Sequence, residues 1–381
     1  VSNQSLTLRR ISSDEHSRFL STLPGVSILQ RPEWAQVKGE WRGESLGWFD
    51  GQAQVGAALV LHRAAPIIGR TLAYVPDGPV IDFAAYPAAQ VLSQLTAHLK
   101  KNGAFALRVG PAADRTVWSA IDVRKAMGAG VLKELWELDP ARRFPEGEQL
   151  DAALAQAGFS RLDAGLDFAA GQPEYVARVP LVTPEGAPLD IDQVLALFSQ
   201  SARRETRQSL KADLQIEVGT TADMARFHAL YATTADRQEF TGRPLSYFEN
   251  LHSSLNAAVP GSCVLYFASH EGQDLATAVR IRSGNLSWYL YGASGNEHRK
   301  LNAPKALQHR MLADAIDEGC IYLDQGGVTP TLQRGEAHGG LSYFKTSMGC
   351  DVVRTLGEWE IPLSKPLAWG FQKYMDFRAR R

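Results

Sequence analysis

The chain carries the same run of structural signals twice. Near its start, a strand-like stretch (Leu6 to Arg10) leads into a helix bearing Arg18-Phe19. A hairpin then reads Gly47-Trp48-Phe49-Asp50-Gly51 and Val55 to Leu61, followed by a strand (Leu72 to Val75), a helix ending at Gly103 and the strand Phe105 to Val109. All of it returns in order. Ile216 to Val218 precedes a helix bearing Arg226-Phe227, and a hairpin runs from Leu265-Tyr266-Phe267 through Glu271-Gly272 to Ala276–Ile281. A strand (Ser287 to Tyr291), a helix ending at Gly319 and the strand Ile321 to Asp324 complete the second copy. Two long, internally varied copies describe two domains and not a solenoid of short repeats. At 381 residues there is chain enough for two cores.

Strand, helix, hairpin, strand, helix, strand is the order of the Gcn5-related N-acyltransferase fold. The expectation is therefore an α/β (α+β) protein of two tandem domains of that kind with a cleft between them, a common place for a large substrate. The first domain is expected over residues 1–170, completed by 362–381, and the second over 171–361. Arg115 to Phe159 reads as helical, with Leu150, Leu154 and Ala157 at helical spacing before Gly158. Ala169 to Glu174, with Gly171 and Pro173, reads as a hinge, and Tyr175 to Leu181 as an alternating strand.

Composition narrows the function classes. Hydrophobic content of 45% and charged content of 21% are ordinary for a soluble protein. No run of the roughly 20 apolar residues needed to span a bilayer occurs, nor a basic-then-apolar secretion signal at the start, so a cytoplasmic location is expected. Three cysteines at unpaired spacing (Cys263, Cys320, Cys350) read as buried residues, and nine histidines form no metal-ligand pattern, so no metal is expected. A net charge of -1 argues against nucleic-acid binding by bulk charge, which leaves the task to local basic stripes.

Two such stripes stand out. Asp190 to Leu214 reads as one long helix with Val194, Leu195, Leu197 and Phe198 as its apolar face; Arg203, Arg207 and Lys211 then fall at i, i+4 and i+8. Like charges one turn apart destabilise an isolated helix. Arg204 adds a fourth charge, and Glu205 is the sole carboxylate between Phe198 and Lys211. The face is either a phosphate site or a solvated basic end of a helix, where cations are favoured in any case. From Ser364 onward, Leu367, Trp369, Phe371, Tyr374 and Phe377 alternate with Lys365, Lys373, Arg378, Arg380 and Arg381. This stretch is either a helix that lies on a membrane surface or one docked on the first domain with a solvated basic tail.

The acetyl-coenzyme A transferases of this fold carry a glycine-rich turn, Arg/Gln-x-x-Gly-x-Gly/Ala, whose N–H groups approach the pyrophosphate at a helix N-terminus. Here the corresponding segment is Arg299-Lys300-Leu301-Asn302-Ala303-Pro304-Lys305-Ala306, with the arginine and no glycine. Gly78-Pro79 to Tyr86-Pro87 in the first copy fits no better. Gly292-Ala293-Ser294-Gly295 is one residue short of a nucleophile elbow, so Ser294 reads as a turn residue. Leu341-Ser342-Tyr343-Phe344-Lys345, after Gly326-Gly327 and Gly339-Gly340, sets a cation beside an aromatic ring, where it can stabilise an oxyanion. Its alternative is a lysine on an ordinary strand.

Together these segments resemble the Fem family of peptidoglycan-bridge aminoacyltransferases, of the FemX and FemAB type. The resemblance spans nearly the whole chain: Gln30 with Trp34, Val37-Lys38 and Trp41; Tyr74-Val75-Pro76 with Gly78-Pro79; Arg207 with Lys211-Ala212; Arg243 with Tyr247-Phe248; Tyr291 to Ser294; Ala306-Leu307-Gln308 with Met311; Asp324 with Gly326-Gly327; Phe344-Lys345; and Gly357-Glu358-Trp359. It implies transfer of an amino acid from aminoacyl-tRNA to the side-chain amine of the third stem-peptide residue of a peptidoglycan precursor, lipid II or UDP-MurNAc-pentapeptide. It further implies that Lys38 and Arg207 bind the precursor's diphosphate, and that Phe344 and Lys345 hold the aminoacyl end, with Lys345 beside the reacting carbonyl. Lys211, Tyr74, Tyr247 and Tyr291, in the same matched segments, are candidate substrate contacts.

Two departures bear on mechanism. Relatives often carry an acid just before the proline that ends the strand matched by Phe105 to Pro111, whereas this chain has Gly110; and the two-helix arm of some relatives is missing, the chain passing from Lys211 straight to Ile216. An aminoacyl ester is already activated, so orientation and oxyanion stabilisation suffice, with Lys345 supplying charge. No cofactor is expected beyond aminoacyl-tRNA as co-substrate, and peripheral contact with the inner membrane face is a further expectation. Transfer to a secondary metabolite, precursor binding without catalysis and, more distantly, coenzyme A-dependent acetylation stay open at this point.

Overall fold

The computed structural model describes residues 6–65, 69–162 and 171–379, with side chains in the last helix described through residue 373. The chain divides into two compact units: Val1–Thr116 with Arg143–Glu174 and Arg354–Arg381, and Val117–Arg142 with Tyr175–Val353. The expected boundaries near 170 and 362 thus move. Residues 117–142 leave the first unit because Trp118, Val123, Met127 and Leu135 bury themselves in the second core. The chain returns at 354 because Leu356 and Trp359 belong to the first core. Of the expected hinge, Ala169 and Ala170 lie outside the described residues, as do the side chains of Tyr374, Phe377 and Arg378, and both Arg380 and Arg381.

In the first unit, strands Thr7–Arg10, Arg42–Asp50, Ala53–Ala64 and Thr71–Val75 pair antiparallel in sequence order. Thr71–Val75 then runs parallel to Ala104–Val109, which pairs antiparallel with Trp359–Pro362. Ala57 to Leu61 are buried throughout, the near-continuous apolar run of a strand covered on both faces. Helix Ala88–Lys101 makes the parallel crossover and buries Val91, Leu92, Leu95 and Leu99, each contributing about 1.5–3 kcal/mol. Helix Ser13–Leu20 starts at a capping box between Ser12 and Glu15. One buried carboxylate knits the elements: Glu44 accepts from His62 Nε2 (2.8 Å), His98 Nε2 (2.9 Å) and Arg10. Burial would raise its pKa, but these bonds outweigh that and hold it well below the carboxylate range.

The second unit repeats the ladder. Strands Gln215–Gly219, Cys263–His270, Gln273–Ser283 and Leu286–Ser294 pair antiparallel. Leu286–Ser294 runs parallel to Tyr322–Gly327, and the antiparallel neighbour of that strand is Tyr175–Pro180. The parallel pairing covers only Leu286↔Tyr322, Ser287↔Leu323 and Trp288↔Asp324. A bulge lies just beyond it, where Val279 pairs with Tyr291 and Arg280 with Tyr289, so both strands run on without a mutual ladder. The gap between the two strands beyond that point is where side chains can be presented.

Two expectations about helices change. The stretch Arg115 to Phe159 is mixed, with strand Asp114–Trp118, helix Ala120–Ala129 and helix Pro145–Gln156. Asp190 to Leu214 is two helices, Ile191–Ala196 and Gln200–Ser209. The break has a cause: Ser199 takes an extended backbone and its Oγ caps the second helix at Ala202 N (3.2 Å), while its own N–H donates to Ser347 O (2.8 Å). Arg124 closes the same junction by donating to Leu197 O (3.1 Å) and to Thr346 O. An Arg124→Met protein leaves both carbonyls without that donor and is expected to lose about 1–3 kcal/mol of stability. Urea unfolding followed by a probe in the second unit reads this directly; an unchanged midpoint means that the junction does not depend on Arg124.

Candidate functional site

Helix Gln200–Ser209 turns Ala202, Thr206 and Ser209 inward, and the two inner hydroxyls are satisfied by Ala202 O (2.9 Å) and Thr206 O (2.8 Å). Its outer face carries Gln200, Arg203, Arg204, Arg207, Gln208 and Lys211 along an open groove of about 640 Å³. Among the described residues, none of the four cations makes a side-chain hydrogen bond or ion pair. The one nearby carboxylate, Glu205, is directed elsewhere, to Lys305 Nζ at 3.7 Å. Four uncompensated like charges on a single face cost stability, and a multivalent anion offsets that cost.

Leu341 to Lys345 is helical, not a strand: it lies in helix Gly339–Ser347. Helix geometry sends the adjacent side chains of Phe344 and Lys345 in different directions. Phe344 is 51% exposed. Lys345 Nζ instead donates to Gly327 O (2.6 Å) at the end of strand Tyr322–Gly327. Gly326 makes that end possible with a φ of 81°, a conformation that favours glycine, and its N–H is held by Asp324 Oδ1 (2.7 Å). Asp324 is itself fixed by Arg178 (3.0 Å). Burial lowers the Lys345 pKa, opposed by Cys350 and Asp324. The result is a desolvated ammonium aimed at backbone, beside a solvent-facing ring.

Lys305 is a site residue that the sequence alone does not single out. It sits in the first turn of helix Ala303–Asp317, in the segment that lacks the glycine turn. With its side chain only 12% exposed, its Nζ lies 4.9 Å from the Phe344 ring centre, 2.7 Å from Met348 Sδ and 3.7 Å from Glu205. Burial lowers its pKa against the pull of Glu205. A lysine opening an alanine-rich helix is a faint signal, and its partners are far off in sequence.

Tyr247 and Tyr291 are brought together: the Tyr291 hydroxyl donates to that of Tyr247 at 3.1 Å, and the Arg243 guanidinium stands 4.6 Å over the Tyr247 ring. Burial, with Tyr291 adding to it, pushes the Tyr247 phenol far above its ordinary range, so it stays neutral and serves as a hydrogen-bonding group.

Lys38 and Tyr74 belong to the first unit. Lys38 follows the short helix Glu33–Val37, its ammonium 5.4 Å from the Trp34 ring centre. Gln30 anchors this region by accepting from Leu59 N (2.9 Å) and donating to Pro76 O. Tyr74 donates its hydroxyl to Glu358, a buried carboxyl that also faces Arg108 at 3.8 Å. Burial raises the Glu358 pKa, with Tyr74 and Arg108 pulling it down. At Gly110 a side chain has no room, since a Cβ would lie 2.9 Å from Gly357 O; the same point is 3.5 Å from Glu358 Cγ. A carboxyl group therefore does stand beside this strand end, contributed by Gly357-Glu358-Trp359 and not by the strand itself.

The duplicated ladder, with its parallel pair opening beyond Trp288 and Asp324, defines tandem Gcn5-related N-acyltransferase-like domains. Its likeness to a tandem protein of that fold from the clavulanic acid biosynthesis pathway has a TM-score of 0.51 at 12% identity, over 94% of this chain and 99% of the other. A higher TM-score, 0.77, relates it to the crystal structure of FemX, with 21% identity over 95% and 98% of the two chains. The profile of the FemAB family matches residues 11–258 and 264–376, and the chain belongs to that family. It is also 23% identical to the lipid II:glycine glycyltransferase of Staphylococcus aureus (strain USA300), over 94% of this chain and 93% of the relative.

The depressed lysines make a measurable pair. In a carbon-13 titration of the lysine Cε resonances, the signals of Lys305 and Lys345, assigned from Lys→Arg proteins, are expected to titrate below the exposed lysines. If both move with the bulk of the lysines, neither ammonium is desolvated.

Proposed function

We propose that this protein transfers an amino acid from aminoacyl-tRNA to the side-chain amine of the third stem-peptide residue of a peptidoglycan precursor, lipid II or UDP-MurNAc-pentapeptide. Membership of the FemAB family and the glycyltransferase named among its relatives support the class of reaction. The observation that carries the reading at atomic level is Lys345, a desolvated ammonium held at a strand end next to exposed Phe344.

The chemistry asks little of a base. The acceptor amine attacks the ester carbonyl, forming a C–N bond and a tetrahedral oxyanion. Collapse breaks the C–O bond to the ribose, and the amine's proton leaves with the ribose hydroxyl. Lys345 stabilises the oxyanion, an interaction that exists only as charge develops and so lowers the barrier without tightening substrate binding. Arg207, with Lys211 on the same basic stretch, holds the precursor's diphosphate; Lys38, in the first unit, is a separate candidate contact for it. Tyr74, Tyr247 and Tyr291 are candidate polar contacts for the remainder of the precursor. No helix among the described residues is long and apolar enough to cross a membrane. Aminoacyl-tRNA as co-substrate is what assigns the protein to the cytoplasm, working at the inner membrane face.

Transfer should require charged tRNA, so RNase treatment abolishes it; efficient transfer from a free acyl-coenzyme A without tRNA overturns the reading. Arg207 and Lys345 should separate kinetically. Arg207→Ala removes a charge partner of the diphosphate, a loss of about 2–5 kcal/mol, and is expected to weaken acceptor binding by about tenfold or more. Lys345→Met should lower kcat by roughly 10²–10³ with acceptor affinity near wild type. If Lys345→Met turns over normally and loses only acceptor affinity, Lys345 is a second anion contact and the catalytic cation lies elsewhere.

A further inference from the structure

The helix Lys365–Ala379 has two faces of opposite character. Leu367, Ala368 and Phe371 pack on the cluster of Ala65, Leu72, Phe105 and Ala106, and the Phe371 ring lies 5.1 Å from that of Phe105. This contact fixes the rotation of the helix on the first unit. The outward face then carries Lys365, Trp369 and Lys373, spaced four apart and so in one stripe, all exposed. Trp369 is 68% exposed, an unusual place for the largest apolar side chain. None of these three residues takes part in the candidate site. From 365 to 381 the sequence holds five cations, Lys365, Lys373, Arg378, Arg380 and Arg381, against the single carboxylate Asp376.

We propose that this outward face docks on an anionic bilayer surface, with Trp369 in the interfacial layer and the lysines on either side against lipid phosphates. An indole flanked by ammonium groups one turn before and after matches the chemistry of that layer, apolar at depth and negative at the surface. Charge complementarity comes from the stripe and is reinforced by the rest of the stretch. An RNA backbone would use the lysines but leaves the protruding indole without an apolar phase, so the bilayer is the better match. The inference rests on the proposed function in one respect: a lipid-linked acceptor gives surface docking its purpose, by confining the enzyme to the plane of its substrate.

The test needs no substrate. The protein is sedimented with vesicles of phosphatidylcholine containing about 30% phosphatidylglycerol and with pure phosphatidylcholine, at about 0.1 M salt. The expected result is binding to the anionic vesicles alone, lost on raising the salt. Lys373→Glu and Trp369→Ser should each reduce it by about fivefold or more, while Arg207→Ala leaves it unchanged. On acceptors, the two surface variants should keep wild-type rates with the soluble nucleotide-linked precursor and lose rate with a vesicle-borne one. Equal binding to both vesicle types, or variants that bind like wild type, overturns the proposal. So does a loss confined to tRNA affinity or to self-association, which assigns the face to RNA or to a second copy. Normal vesicle binding by a protein that transfers nothing leaves the surface standing and fails the transferase reading instead.

Discussion

Arg124 joins two carbonyls that end two different helices, Leu197 O ahead of the basic helix and Thr346 O at the close of the helix bearing Phe344 and Lys345. With Ser199 N–H bonded to Ser347 O, this junction ties the second unit's basic face to the helix that carries its buried ammonium. Gly349, at a φ of 78°, allows the chain to turn there against Leu197 and Phe198. The break in a stretch whose spacing suggests a single helix is thus a docking point and not a defect.

Duplication supplied two copies of one ladder, and the copies were completed differently. In the second unit the strand beside the parallel pair, Tyr175–Pro180, comes before the repeat; in the first, Trp359–Pro362 comes from beyond the other unit. That late strand brings Glu358 to Tyr74 and to the space next to Gly110. In the second unit the corresponding end of the parallel pair is occupied by Gly326-Gly327 and Lys345. The same architecture therefore presents a buried carboxyl at one strand end and a desolvated cation at the other.

The cations divide by environment. Among the described residues, no carboxylate pairs with Arg203, Arg204, Arg207 or Lys211, the arrangement that attracts a multivalent anion at long range. Lys305 and Lys345 are withdrawn from water, where each weak partner counts for more and where a developing negative charge is stabilised most strongly. Glu205 links the two sets, since it sits on the basic helix and pairs with Lys305.

Much of this architecture is legible in the amino-acid sequence. The hairpins announce themselves through Asp50-Gly51 and Glu271-Gly272, and the basic face through four-residue spacing, because turn chemistry and helical period are local properties of the backbone. Phe344 and Lys345 are visible as a pair, yet whether they lie on strand or helix is not: Gly339-Gly340 weakens both patterns, and packing of Ser342 and Thr346 into the interior decides for helix. Lys305 over Phe344, Tyr74 on Glu358, and the allotment of residues 117–142 to the second core join positions far apart in the chain. By itself the sequence determined the period of each element, the repeat and the location of charge. Only the tertiary structure decided which charges lose their water and which meet a partner, because desolvation depends on what the rest of the chain places around a group, and no local spacing records that.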